Sequence, residues 1–131
     1  MSWQQYVDEQ LLGSGTISQA AILGQKDMAA WATSPGFTLS KTELEQIISG
    51  FSDPGSFFST GVHAAGVKYL TIKADERSIY GKQGPAGIVC VKTVTAIIVG
   101  VYKEGMQPGN AALAVEKLAD YLIDCGFVLS E

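Results

Sequence analysis

The chain contains one histidine and two cysteines, and it has no uninterrupted apolar stretch of about 18 residues or more. Each scarcity removes a class of function. With His63 alone, a multi-histidine metal site is excluded and a histidine-dependent triad has a single candidate. A lone histidine reads first as a loop or strand-edge residue. Cys90 and Cys125 form neither a CxxC pair nor a zinc set, so they read as packing thiols in a reducing compartment. No run is long enough to cross a membrane as a helix. The opening Met1-Ser2-Trp3-Gln4-Gln5-Tyr6 has neither the basic nor the apolar region of a signal peptide, and cytosolic residence is expected.

Phosphate-binding loops are also missing. Gly13-Ser14-Gly15 and the run Gly81-Lys82-Gln83-Gly84-Pro85-Ala86-Gly87 match neither GxxxxGK[ST] nor GxGxxG. Pro85 removes an amide that a phosphate cradle would need, so the second run reads as a hairpin turn. The carboxylate pairs Asp8-Glu9, Glu43/Glu45 and Asp75-Glu76 are sequence neighbours in polar settings, with no partner that marks general acid chemistry. The expectation is a binding protein without catalytic residues, metal or cofactor.

What is present suits a compact mixed fold. The 131 residues are 47% hydrophobic and 17% charged, with 15 glycines, and fit one domain over 1–131. Net charge is −4, which argues against wholesale attraction to nucleic acid. Between residues 60 and 100, however, Lys68, Lys73, Arg77, Lys82 and Lys92 face only Asp75 and Glu76, a local excess of three positive charges. Their ordinary fate is a solvated sheet face; as a surface feature they would steer an acidic protein partner.

Ser2-Trp3-Gln4-Gln5 has the capping-box pattern and predicts a helix from Trp3 to about Leu12, ended by Gly13-Ser14-Gly15. Ile17–Leu23 and Met28–Thr33 predict a hairpin around Gly24-Gln25-Lys26-Asp27. Ser40-Lys41-Thr42-Glu43 repeats the box, and Leu44, Ile47, Ile48 and Phe51 follow at helical spacing until Asp53-Pro54-Gly55. From Gly66 to Tyr102 the chain alternates apolar and polar residues in several sequential strands, with links short enough for antiparallel pairing. Pro108-Gly109-Asn110 opens the last helix with Asn110 as its cap. Ala111, Val115, Leu118 and Leu122 form its docking stripe, and Gly126 closes it.

Trp3 and Tyr6 stand at i, i+3 on the first helix, a spacing served equally by an aromatic binding face and by docking into the core. Val7 and Leu11 already supply a docking stripe with Trp3. Tyr121 sits beside Leu122 at the edge of the last helix's stripe, and Trp31 lies on a short strand among alanines. Rings with an N–H or O–H at the edge suit a proline-rich ligand, whose polyproline II form has little entropy left to lose and offers carbonyls to such donors.

Several segments resemble profilins. They are Ser2-Trp3-Gln4-Gln5-Tyr6-Val7-Asp8, Trp31-Ala32-Thr33-Ser34, Lys73-Ala74-Asp75-Glu76-Arg77-Ser78-Ile79-Tyr80-Gly81-Lys82, Cys90-Val91-Lys92-Thr93 and Leu118-Ala119-Asp120-Tyr121-Leu122-Ile123, in family order. The acidic last helix, with Glu116, Asp120 and Asp124 against Lys117, is similar to amoeboid or fungal members rather than vertebrate ones. The resemblance implies an α+β sandwich: a central antiparallel sheet with the N- and C-terminal helices on one face and smaller helices on the other. It implies binding to monomeric actin, an effect on nucleotide exchange and polymerisation, delivery of actin to proline-rich proteins such as formins, and a monomer of the cytoplasm and cytoskeleton. Matched residue by residue, Trp3, Tyr6, Trp31, Tyr121, Leu122 and Phe127 would bind polyproline. Lys73, Arg77, Tyr80, Lys82, Lys92 and Gly109 would face actin. Phosphoinositide lipids at a membrane surface would be held by Lys68, Lys73, Arg77, Lys82 and Lys92, weakly and with salt sensitivity on an acidic protein. The rival reading is a small α/β sensor that encloses a ligand in a deep apolar pocket under its sheet.

Overall fold

In the computed structural model, which describes residues 2–124, the chain begins with the expected capping box. Ser2 Oγ accepts from the Gln5 amide and Gln5 Oε1 accepts from the Ser2 amide, at 3.2 and 2.9 Å. Helix α1 starts as Trp3–Gln5, widens into a π-helical stretch at Tyr6–Leu11 and tightens to a 3₁₀ turn at Leu12–Ser14. Gly15, at φ +78°, takes the left-handed conformation that ends it.

Seven strands follow: β1 (Gln19–Gly24), β2 (Ala30–Thr33), β3 (Val62–Ala64), β4 (Val67–Ala74), β5 (Ser78–Gln83), β6 (Ala86–Lys92) and β7 (Ala96–Tyr102). They form one sheet in the order β2-β1-β7-β6-β5-β4-β3, antiparallel at every pairing. Strand β7 is buried along its whole length and alternates its side chains between two cores. Ile98 joins Trp3, Val7, Leu11, Val89, Val91, Val115 and Leu122 beneath α1 and α4 (Pro108–Asp124). Ile97 and Val99 join Phe37, Ile47, Phe57, Tyr69, Ile79 and Cys90 beneath α2 (Lys41–Gly50) and α3 (Phe57–Thr60). The terminal helices therefore share one face and the small helices the other, as the resemblance implies.

The hairpin turn between β5 and β6 is the two residues Gly84-Pro85, with Gly84 at φ +59°. Two expectations need correction. Helix α4 begins at Pro108, so Asn110 lies inside the first turn; the Ala111 amide is bonded to the Gln107 carbonyl, and Pro108 takes the first helical position, where it has no amide to lose. Asp53-Pro54-Gly55 does not simply end a helix, because Pro54–Ser56 forms a 3₁₀ turn that leads into α3 and then the short edge strand β3. Gly126 and Phe127 lie outside the described residues.

Candidate functional site

Rings from three elements meet on the α1/α4 face. Trp3 lies between Trp31 of β2 and Tyr6, with ring centroids 5.0 and 5.9 Å away, and Tyr6 approaches Tyr121 of α4 at 6.4 Å. The result is a row Trp31–Trp3–Tyr6–Tyr121. Glycine at position 24 makes the row possible: a Cβ there would stand 2.4 Å from the Trp31 indole and 2.3 Å from Asp27 Oδ1. Asp27 Oδ2 also accepts from Trp31 Nε1 at 3.0 Å, fixing the ring over β1. Gln4 Nε2 donates to the Thr33 carbonyl at 2.9 Å and pins α1 against β2.

Burial differs sharply along the row. Trp3 and Tyr6 are each only 5% exposed, Trp31 is half-buried and Tyr121 is 54% exposed. Trp3 and Tyr6 thus dock into the core together with Val7 and Leu11, and it is Trp31 and Tyr121 that bring the row to the surface. Leu122 is buried beneath the row and supports it from below. Trp3 Nε1 is sealed from water and has no acceptor among the described residues. A buried donor left without a partner costs on the order of 1–3 kcal/mol.

The basic segment folds into a second surface at the other end of the sheet. Register places Lys73 opposite Tyr80 and Leu70 opposite Lys82, and Lys73 Nζ lies 4.9 Å from the Tyr80 ring centroid. Leu70 and the neighbouring Ile72, at a β-bulge, are 66% and 60% exposed. Lys92 does not join them. It pairs with Ile97, whose side chain packs under α2, so strand alternation puts Lys92 on the opposite face of the sheet.

Glu116 of α4 anchors one side of this second surface from behind. Its Oε1 accepts from Arg77 Nε and Nη2 at 3.1 and 2.9 Å, and its Oε2 accepts from the Ser78 and Tyr80 hydroxyls at 2.8 and 2.5 Å. Asp120 takes a second Arg77 contact at 2.8 Å. Burial alone would raise the Glu116 carboxyl, but the donors Tyr80, Ser78 and Arg77 outweigh it and hold the group below its ordinary range. The Tyr80 phenol is pushed well up, first by burial and then by its bond to this carboxylate. Gly109 lies seven residues before Glu116, two helical turns along the same side of α4. Sequence reading missed Leu70, Ile72 and Glu116. Exposure of an apolar strand residue is not visible in alternation alone, and the i, i+4 acids Glu116 and Asp120 look like a solvated helix face until β5 is packed beside them.

A profilin family model matches residues 1–127. The chain belongs to the profilin family. It is 53% identical over 127 residues to Profilin-2 of Acanthamoeba castellanii, covering 97% of this chain and all of that one. Its fold superposes on crystalline Schizosaccharomyces pombe profilin with a TM-score of 0.94 at 50% identity, covering 96% and 100% of the two chains. The expected likeness to amoeboid and fungal members holds in these similarities. Mouse Profilin IIa, solved in complex with a double repeat from the FH1 domain of mDia1, gives a TM-score of 0.77 at 25% identity, covering 97% and 100%. This profilin thus carries both surfaces on the family's scaffold. No helix among the described residues is long and apolar enough to cross a membrane.

Proposed function

We propose that this profilin is a monomeric two-site adaptor of the cytoplasm and cytoskeleton: it binds proline-rich ligands on the row Trp31–Trp3–Tyr6–Tyr121 and monomeric actin on the β4/β5 surface. The observation that carries the reading is the row itself, four rings from three separated segments brought into tilted contact, with Trp31 and Tyr121 reaching the surface at its two ends. A proline tract suits this row, since its pyrrolidine rings pack on aromatic faces and it has no amide donors of its own to leave unpaired. The FH1 repeat bound by the mouse relative is consistent with that chemistry.

Exposed Leu70 and Ile72 beside Lys73 and Lys82 give the second surface an apolar centre with a basic rim, the composition of a protein interface. Arg77 and Tyr80 are held from behind by Glu116, so they act as a pre-set part of that surface. Binding of actin there would place nucleotide exchange and polymerisation under this protein's control, and formin-like partners would receive actin from it. Phosphoinositides would compete for Lys68, Lys73 and Lys82, and raised salt should release them. Binding is its whole activity in this reading, with no catalytic role for His63, which sits on the edge strand β3 opposite Lys68. Residues 1–131 act as one domain because a continuous core joins Trp3 to Leu122. The sensor reading is disfavoured because both faces of the sheet are filled by packed clusters.

The test is a fluorescence titration with a proline peptide, which should perturb Trp3 and Trp31 emission saturably. An unperturbed spectrum at millimolar peptide would sink the proline-site reading.

A further inference from the structure

Four side-chain donors at the head of β5 converge on one carboxylate. Arg77 Nε and Nη2 donate to Glu116 Oε1, the Ser78 and Tyr80 hydroxyls donate to its Oε2, and Arg77 Nη2 also donates to Asp120. The strand places these donors, not their acceptor. Ser78 and Tyr80 stand two residues apart on one face of β5. The Arg77 amide donates to Asp75 Oδ1 at 2.8 Å, and its carbonyl accepts from the Lys92 amide at 2.8 Å. Asp75 is committed to this turn, since the same oxygen accepts from the Ser78 amide. A guanidinium fork beside two hydroxyls is also the donor set that suits a phosphate group. Its present occupant comes from α4, where Glu116 and Asp120 stand at i, i+4 and reach β5 from one side. A tethered carboxylate meets these donors at a higher effective concentration than a dilute free anion does. Lysines are left as the open cations: among the described residues Lys68 and Lys82 form no ion pair, and Lys73 makes only a long contact of 3.9 Å with Asp75.

We infer that Glu116 and Asp120 are specificity determinants of the β4/β5 surface: they occupy the Arg77, Ser78 and Tyr80 donors and so keep phosphomonoesters, free or on a lipid headgroup, out of a site that the strand would otherwise offer. The inference deepens the reading of that surface given above, in which phosphoinositides meet lysines alone. Exposed Leu70 and Ile72 lie outside the network, so the apolar centre stays open to a protein partner. The acids of α4 thus bias one basic surface toward protein and against phosphate.

The experiment measures soluble inositol trisphosphate by calorimetry, and phosphatidylcholine vesicles with and without phosphatidylinositol bisphosphate by sedimentation, on the full chain, on E116Q/D120N and on E45Q/E104Q. Glutamine and asparagine keep the shape of each acid and remove its charge. Glu45 and Glu104 are exposed acids outside the network, so the second variant loses the same charge without freeing a donor. We expect E116Q/D120N to bind the soluble headgroup on the order of tenfold more tightly than the unaltered chain. E45Q/E104Q should gain no more than about twofold, because distant exposed charges are screened. Adding R77A to E116Q/D120N should cancel the gain. D120N alone, at an exposed side chain, should gain part of it and serves if the double variant does not fold. Equal gains in the two double variants, or a gain that survives R77A, would give the effect to net charge and overturn the inference. A gain on vesicles without one on the soluble headgroup would give it to the membrane's surface charge and overturn it likewise, as would no gain in either E116Q/D120N or D120N. A gain in the variants with no binding by the unaltered chain would uphold the inference while removing phosphoinositides from the ligands proposed above.

Discussion

At position 3 one indole fills the core under α1 and also touches both neighbours in the aromatic row. Truncation there to alanine would cost about 3–5 kcal/mol of stability as a core deletion, so lost affinity would be confounded with unfolding. Tyr121 gives the cleaner test because it is more than half exposed. Tyr121→Ala should change stability by no more than about 0.5 kcal/mol and weaken proline-peptide binding by about 1–2 kcal/mol in calorimetric titration. Unaltered binding would remove Tyr121 from the site. Its place at the edge of the docking stripe was readable from its neighbour Leu122; the burial of Tyr6 was not, because i, i+3 spacing fits display and docking alike. Glu116 offers a second test. Its folded carboxyl lies below the ordinary value of 4.5, so its stabilisation is complete above that pH and is lost as pH falls through the lower folded value. Glu116→Gln should flatten the acid limb of a melting-temperature profile below pH 4.5. It should also lower the alkaline titration of one phenol, Tyr80. An unchanged phenol titration would show that the Tyr80–Glu116 bond does not set that group.

At the scale of elements, small residues decide where large ones can lie. Gly24 on β1 leaves room for the Trp31 ring, and Gly100 on β7 lets α4 approach so closely that an added Cβ would stand 2.7 Å from Val115 Cγ2. Gly24→Ala should displace the indole and break its bond to Asp27. Proline-peptide affinity would then fall on the order of tenfold with no aromatic residue altered. Retained affinity would show that Trp31 contributes little from its observed position. Capping boxes were the most legible elements, since Ser2/Gln5 and Ser40/Glu43 both form as their spacing requires. Glu43 does more than its motif says, because both its oxygens also accept from the Ala65 and Gly66 amides at 3.0 and 2.9 Å, closing the turn between β3 and β4. The stretch from Pro54 to Ala64 was hidden. A four-residue helix and a three-residue strand are too short to show either period, and Pro-Gly reads as a breaker even where it starts a turn.

For the whole molecule, the order of the sheet separates the two surfaces. Trp31 lies on edge strand β2, whereas Tyr80 lies on β5, four strand spacings away, or about 19 Å. Helix α4 stands between them and serves both, turning Tyr121 toward α1 and Glu116 with Asp120 toward β5. On the proposed reading, this arrangement would let one ligand be held without displacing the other. It also explains why an acidic helix suits a basic strand segment: Arg77 is neutralised internally, leaving Lys73 and Lys82 beside exposed Leu70. Tyr80→Arg should place a second cation against Arg77 and Lys73 and abolish the actin complex on gel filtration, while proline-peptide affinity stays within about twofold. An intact complex would remove Tyr80 from the actin-facing surface. The most direct test of two independent sites is capture of monomeric actin by this profilin already bound to polyproline resin. The account predicts that actin is retained in proportion to the bound protein and that Tyr80→Arg abolishes its retention alone. Release of the protein from the resin as actin is added would contradict it.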